Sequence, residues 1–353
     1  MPESEGHAGS LRSAMVRLGV SALFYSGGLS VLRARAGESP RRDSAPFSVL
    51  IYHRVNPDGD FFFPSLSVAG FEAQMRFLAR HFRVRPLTEL LARQRAGQPI
   101  EPWTVALTFD DGYRDNFLYA HPILREYGLR ATVFVPTAYI DTGRLLWNDR
   151  LAWAVKHTAK QQLEFTDASG RVRLSLRTAA DKRAVFLRLA SRLKALPDAE
   201  KDALLDRLVA ELGWRSRGPF PRMLSWNELR RMAREGWEIG SHTVNHRILT
   251  RVPLDAARHE IAASKATIEG EVEQPVTLLA YPNGKAGDFN AAVKALVREA
   301  GYEGGLTTLD GLNRWPADPL ELRRINPWEE HLPSFATKMK WTHWKAMSPA
   351  NRA

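Results

Sequence analysis

Thr104-Val-Ala-Leu-Thr-Phe109-Asp110-Asp111-Gly112-Tyr113 decides the fold class of this chain. Its first six residues are apolar, β-branched or aromatic without interruption, the composition of a strand buried on both faces. The next three form an acidic glycine turn, so two adjacent carboxylates stand at the carboxyl end of a buried strand. In α/β architectures that end is where loops collect catalytic groups over a rigid sheet.

Working outward, the same design recurs. Trp237-Glu-Ile-Gly-Ser241 runs into Ser241-His242-Thr-Val-Asn-His246, and Thr277-Leu-Leu-Ala-Tyr281 runs into Pro282-Asn283-Gly284. The two histidines are four residues apart, and a single backbone turn there would let both imidazoles meet one ion. Each piece alone has a plain explanation: Asp-Asp-Gly is a common turn, and histidine is often a satisfied structural residue. Their conjunction at three strand ends points to a metal site with one carboxylate and two imidazoles, which leaves coordination positions open for water and substrate.

Strand-like runs at 48–53, 104–109, 131–137, 237–241, 277–281, 302–308 and 322–326 alternate with helix-like patterns near 70–81, 86–96, 115–127, 225–235, 254–270 and 288–300, with Ser225 and Asp288 as start signals. This alternation predicts an α/β fold with a parallel, closed sheet. Residues 142–222 break the rhythm and read as a helical insertion, with helical spacing from Asp181 to Leu212 broken at Leu196-Pro197-Asp198. From Arg150 to Glu235 there are 19 Lys and Arg against 10 Asp and Glu, so most of the chain's formal net charge of +11 lies there. A solvated helical face or contact with an anionic polymer or lipid surface both suit that charge. Trp147, Trp153 and Trp214 in or beside the insertion are candidates for packing or for stacking on sugar rings.

In these motifs the chain resembles the polysaccharide deacetylases with the NodB homology domain, carbohydrate esterase family 4, over about residues 47–330. Thr108 to Tyr113 resembles the first motif of that family and Ser241 to His246 the second. The resemblance implies a distorted (β/α)7 barrel carrying the insertion. It implies Asp110 as catalytic base, Asp111, His242 and His246 as ligands of a divalent ion, most often Zn2+, and the backbone N–H of Tyr113 as an oxyanion donor. The chemistry agrees with the residue types: a bound ion polarises an acetamide and acidifies a water, and an unligated carboxylate beside it takes the proton. The implied reaction removes N-acetyl groups from an N-acetylated polysaccharide or oligosaccharide, or from a lipid-linked precursor.

Two positions depart from the family pattern. The arginine of the third motif is absent, its place taken by Ala280-Tyr281-Pro282-Asn283-Gly284. The Tyr-Pro-Asn-Gly version resembles an exopolysaccharide-associated branch, in which Tyr281 and Asn283 stand at the substrate position and Arg324, in Leu322-Arg-Arg-Ile325, supplies the supporting cation. The late general-acid histidine has no clean counterpart. His331 sits in the right region but in the wrong order, whereas His53 ends the first strand-like run, Phe47 to Tyr52, and emerges at the same face as Asp110. These departures keep open a carbohydrate-binding protein of the same fold with impaired catalysis; within the enzyme class, the resemblance also leaves open a hydrolase of small cyclic amides.

At 353 residues and 44% hydrophobic content the chain supports one large domain with additions. It has no Cys, which removes disulfides and Cys-based zinc sites and leaves the compartment open among cytoplasm, membrane surface and periplasm. A nucleic-acid partner is not expected, since the basic charge comes without a recognition motif. Residues 1–46 form a separate segment: Gly19 to Leu32 is an apolar run of 14 residues between Arg12 and Arg17 on one side and Arg33 and Arg35 on the other. That is short of the roughly 20 residues of a membrane span. Residues 12–35 therefore read as a candidate peripheral membrane contact, with Gly37 to Pro46 as linker, and residues 331–353 as a C-terminal tail.

Overall fold

The computed structural model describes residues 45–167, 170–214 and 222–348. The apolar segment at 12–35 lies outside them. In chain order the elements are β1 (Phe47–Tyr52), α1 (Val68–His81), β2 (Arg83–Val84), α2 (Leu87–Arg95), β3 (Thr104–Phe109), α3 (His121–Glu126), β4 (Thr132–Val135), α4 (Trp147–His157), β5 (Gln162–Asp167), β6 (Gly170–Ser175), α5 (Ala179–Ala195), α6 (Asp198–Glu211), α7 (Trp226–Arg234), β7 (Glu238–Ser241), α8 (Leu254–Val272), β8 (Leu278–Ala280), α9 (Ala291–Glu299), β9 (Gly304–Leu306) and α10 (Leu332–Met347).

Seven strands form one parallel sheet in the order β1-β3-β4-β7-β8-β9, with β2 beside the start of β3. Its curl is closed by residues 322–325, read from sequence as a strand and present as bridges on both sides: Leu306 pairs with Leu322, and Leu50 with Ile325. Ile325 N–H donates to Val49 O at 2.8 Å, and Ile51 N–H to Ile325 O at 3.1 Å. The alternation of side chains sorts the core into two layers. Val49, Ala106, Phe134, Leu278, Ala280, Leu306 and Leu322 share one cluster, together with Leu87, Leu90 and Leu91 of α2. Their neighbours Leu50, Leu107, Val133, Val135 and Leu279 face the other helices.

Helix starts follow local chemistry. Ser225 and Glu228 make the reciprocal capping box that the sequence signals for α7. Asp288 is not the cap of α9. Asn290 caps it, accepting from Val293 N–H, while Asp288 is drawn into the site loop.

The insertion is not purely helical, because β5 and β6 form an antiparallel hairpin between α4 and α5. It carries its own apolar core from Leu151, Leu163, Leu189, Leu193 and Leu204, onto which Phe62 and Phe63 dock from the loop after β1. Residues 331–353, read as a tail, carry α10 instead. Its Phe335, Ala336 and Met339 are buried, and the Phe335 ring lies 6.0 Å edge-on from Phe77 of α1. His343 of α10 is buried against Trp103 and bonds Ser48 of β1 through Nε2 at 3.0 Å.

Phe335→Ala should therefore cost about 3–5 kcal/mol of stability by chemical denaturation, as a buried aromatic does; an unchanged midpoint would return α10 to the status of a tail. Burial also pushes the His343 imidazole down to about 3 from 6.5. The folded state holds it neutral, so its contribution is complete above 6.5 and is lost as pH falls toward 3. The slope of stability against pH over that window should flatten in His343→Gln, and an identical slope would rule the contribution out.

Candidate metal and catalytic site

Five strand ends converge at the carboxyl face of the sheet. Asp110 continues β3, its N–H donating to Tyr52 O at 2.9 Å, and His53 follows β1 on the same side. Asp111 and Gly112 then turn sharply with φ of 74° and 69°. A Cβ on Gly112 would come within 2.9 Å of Val135, so the turn presses against β4 and only glycine fits. Gly284 is tied similarly, since an added Cβ would meet Thr308 N at 2.9 Å and Tyr281 O at 3.0 Å. Among the described residues, four of the seven non-glycine positive-φ positions are Asp111, Thr243, His246 and Asn283. Strain of this kind persists where surrounding bonds over-determine it, commonly at functional sites.

The histidine pair sits on an irregular loop rather than on a helical turn. Glu260 of α8 holds that loop, accepting from Asn245 N–H at 2.7 Å and from Asn245 Nδ2 at 2.8 Å. His242 Nδ1 lies 2.7 Å from Ala280 O, which makes it the protonated nitrogen and leaves Nε2 to accept or to bind metal. That Nε2 is 3.6 Å from Asp111 Oδ1, and His246 Nε2 is 3.2 Å from the same oxygen. One ligand atom from each of the three residues lies within 4.8 Å of the other two. Nitrogen and oxygen atoms bound at about 2.0–2.2 Å to one tetrahedral ion lie about 3.3–3.6 Å apart, so the donor set and its spacing fit a divalent ion such as zinc.

Asp110 stands beside this trio, 3.9 Å from His242 Nε2. Arg324 is 1% exposed, and it grips Asp110 with two hydrogen bonds of 2.7 Å, Nη1 to Oδ1 and Nη2 to Oδ2. Its Nε donates to Thr307 O at 2.7 Å. Burial works against ionisation of Asp110, but the Arg324 charge and then His242 outweigh it and hold the carboxyl below its usual range. Asp111 is likewise buried, and is held far below that range by His246 above all. Burial lowers His242 to about 4. The site thus pairs two ionised carboxylates with a neutral imidazole.

The cavity over these groups has a volume of about 320 Å3, and His53, Asp110, Asp111, His242, His246 and Asn283 line its barrel side. His53 Nδ1 is buried with no hydrogen-bond partner. The insertion supplies the facing wall through Trp147, Asn148 and Lys194, and Lys285 joins them. A larger cavity of about 620 Å3 lies against Trp153 and Arg114 and contains none of the trio, so chemistry and not volume selects the site.

Of the residues expected at the substrate position, Tyr281 lies elsewhere. Tyr281 is buried, stacks on Phe289 at 4.9 Å and donates its hydroxyl to Leu320 O at 3.0 Å, so it is a core residue. The Tyr113 side chain is also turned away, its hydroxyl donating to Asp149 at 3.0 Å. Its backbone N–H stays outside the ladder at that corner, where Arg114 N–H donates to Arg222 O and Leu224 N–H to Gly112 O, each at 2.8 Å. Of the three tryptophans, Trp147 reaches the cavity, whereas Trp153 packs on Phe63. Lys194, Asn148 and Lys285 line the cavity without belonging to any of the sequence motifs. Only Lys285 carried a local signal, its place directly after the third motif.

The sequence profile of the polysaccharide deacetylases matches residues 98–305. The chain belongs to the polysaccharide deacetylase family, and is by that membership an enzyme of the deacetylase class. It is similar to the Bacillus subtilis (strain 168) protein YxkH, named for the same family, with 22% identity over 269 residues that span 76% of this chain and 66% of that protein. Among solved structures it resembles the Streptococcus pyogenes deacetylase PplD bound to acetate, with a TM-score of 0.53, 18% identity and coverage of 80% and 92% of the two chains. It also resembles IcaB from Ammonifex degensii, with a TM-score of 0.53, 17% identity and coverage of 83% and 98%. A third is a de-N-acetylase from Aggregatibacter actinomycetemcomitans, with a TM-score of 0.52, 15% identity and coverage of 79% and 94%. These likenesses show the curled parallel sheet with its helices.

Elemental analysis of the purified protein should find close to one divalent ion per chain. His246→Ala should lose it, while Arg324→Ala, which touches no ligand, should keep it. An ion retained in His246→Ala would dismiss the trio as the metal site.

Proposed function

We propose that this chain is a divalent-metal-dependent N-deacetylase that removes acetyl groups from N-acetylated sugars of a polysaccharide or of its lipid-linked precursor. We place it in an exopolysaccharide-associated branch marked by Tyr281-Pro-Asn-Gly284. The observation that carries the reading is one arrangement: an ionised Asp110 clamped by Arg324, in the same cavity as Asp111, His242 and His246.

A divalent ion on the trio, zinc first, would act as Lewis acid toward the acetamide carbonyl and lower the pKa of a water in the site. Asp110 is outside the trio and ionised, so it is the group that accepts the water proton as oxygen attacks the carbonyl carbon. Arg324 cannot take that proton at any working pH. Its two donors fix both carboxylate oxygens, keep Asp110 charged until attack, and point it at the trio. The Tyr113 N–H, free of the local ladder, is assigned to the developing oxyanion. The proton then passes to the departing nitrogen, with His53 as the second titratable side chain within reach, and the products are acetate and a free amine. The base and its clamp support an active enzyme over a binding-only relative.

Acetate release from N-acetylglucosamine oligomers should stop on chelation and return with added zinc. Asp110→Asn should lower kcat by about 100-fold or more with its metal content unchanged. Chelator-insensitive release, or an Asp110→Asn variant as fast as the parent, would overturn this mechanism.

A further inference from the structure

The deacetylation chemistry uses the barrel side of the cavity and leaves part of the facing wall without a role. Lys194, in the last turn of α5, and Lys285, directly after Gly284, come from distant parts of the chain to line the same cavity as the metal-binding trio. Lys194 is half-buried and Lys285 exposed. Among the described residues neither ammonium ends on a carboxylate. Burial first, and then the Lys285 charge, hold Lys194 below its usual range.

The carboxylates that attract Lys194 are Asp288 and Asp111, and both are committed elsewhere. Asp288 accepts from Asn283 Nδ2 and, at 2.8 Å, from Lys285 N–H. Asp111 faces the two imidazoles. A lysine in a last helical turn is ordinary, because it complements the helix dipole, and an exposed lysine needs no explanation. Neither reason accounts for two unpaired ammoniums converging on one wall, one of them partly withdrawn from water. Like charges held together in a cleft are stabilised by an anion between them. Space for more than one sugar is also present, since Trp147 lines both this cavity and an adjoining one of about 490 Å3.

We propose that Lys194 and Lys285 form an anion subsite beside the acetamide position, so that the preferred substrate carries a carboxylate or phosphate on or next to the N-acetylated sugar. The inference rests on the reading above, in which this cavity receives that sugar. The ammonium is a compact point charge without fork geometry, so the subsite selects charge and accepts either anion. A neutral polymer would leave both cations partly desolvated and unpaired.

The test is calorimetric binding to the full chain carrying Asp110→Asn, which blocks turnover. The ligands are a tetrasaccharide alternating N-acetylglucosamine with glucuronic acid, an N-acetylglucosamine tetramer, N-acetylglucosamine 1-phosphate and N-acetylglucosamine. In at least one of the two pairs the charged ligand should bind about tenfold more tightly than its neutral counterpart at low salt, with the advantage fading as salt rises. Which pair responds identifies the anion as carboxylate or phosphate. The advantage should vanish with Lys194→Gln and Lys285→Gln combined and persist with Lys194→Arg, which keeps the charge. Equal binding within both pairs, or an advantage that survives the double Gln variant, would overturn the subsite. Acetate release by the parent protein separates the two claims: release without any charge preference removes only the subsite, and preference without release removes only the deacetylase reading.

Discussion

The buried ion pair between Arg324 and Asp110 is the constraint on which the rest of the site depends. Neither group could stand alone in that interior, where breaking one partner of a buried pair costs about 3–5 kcal/mol. The pair spans the closure of the barrel. Asp110 directly follows β3, and Arg324 belongs to the segment that bridges β9 to β1. Closing the sheet and clamping the Asp110 carboxylate are therefore one structural event. A barrel left open at residues 322–325 would keep Asp111, His242 and His246, which follow β3 and β7, yet lose the cation that holds Asp110 ionised.

The insertion completes what the barrel begins. Strand ends hold Asp110, Asp111, His242 and His246 at rigid spacing, but on only one side of a cavity. Residues from α4 and α5 supply the other side, anchored by a core of their own. Arg247, next to His246, ties the two parts, since its Nε lies 2.9 Å from Asp198 of the insertion and 3.7 Å from Glu260 under the histidine loop.

Much of this was legible in the sequence because polar residues at the ends of buried strands have few structural reasons to be there. Asp110, Asp111, His242 and His246 stood out on those grounds, and the structure brings them together. Strand parity explains both Arg324 and the misassigned Tyr281. Leu322 and Arg324 share the face of Ala280, Ala106 and Leu306, whereas Tyr281 is one residue out of phase and points into the helix layer. That alternation is present in the sequence and runs through the third motif. The hairpin β5-β6 was masked by strong helical spacing around it, although Leu163, Phe165, Val172 and Leu174 alternate with polar residues. Lys194 lay beyond reach for a different reason. Its place over the cavity depends on how the insertion packs on the barrel, and no local pattern encodes that.

The most direct test of the account is the acid limb of kcat/KM against pH in the parent protein and in Arg324→Gln, with metal content verified in both. The acid limb reports the free enzyme's essential base. With Arg324 present, Asp110 should titrate below its usual range. Without it, burial alone acts on the carboxyl, and the limb should move up by at least about one pH unit as kcat falls. An acid limb at the same pH in both proteins would contradict the claim that this buried pair sets the charge state of the base.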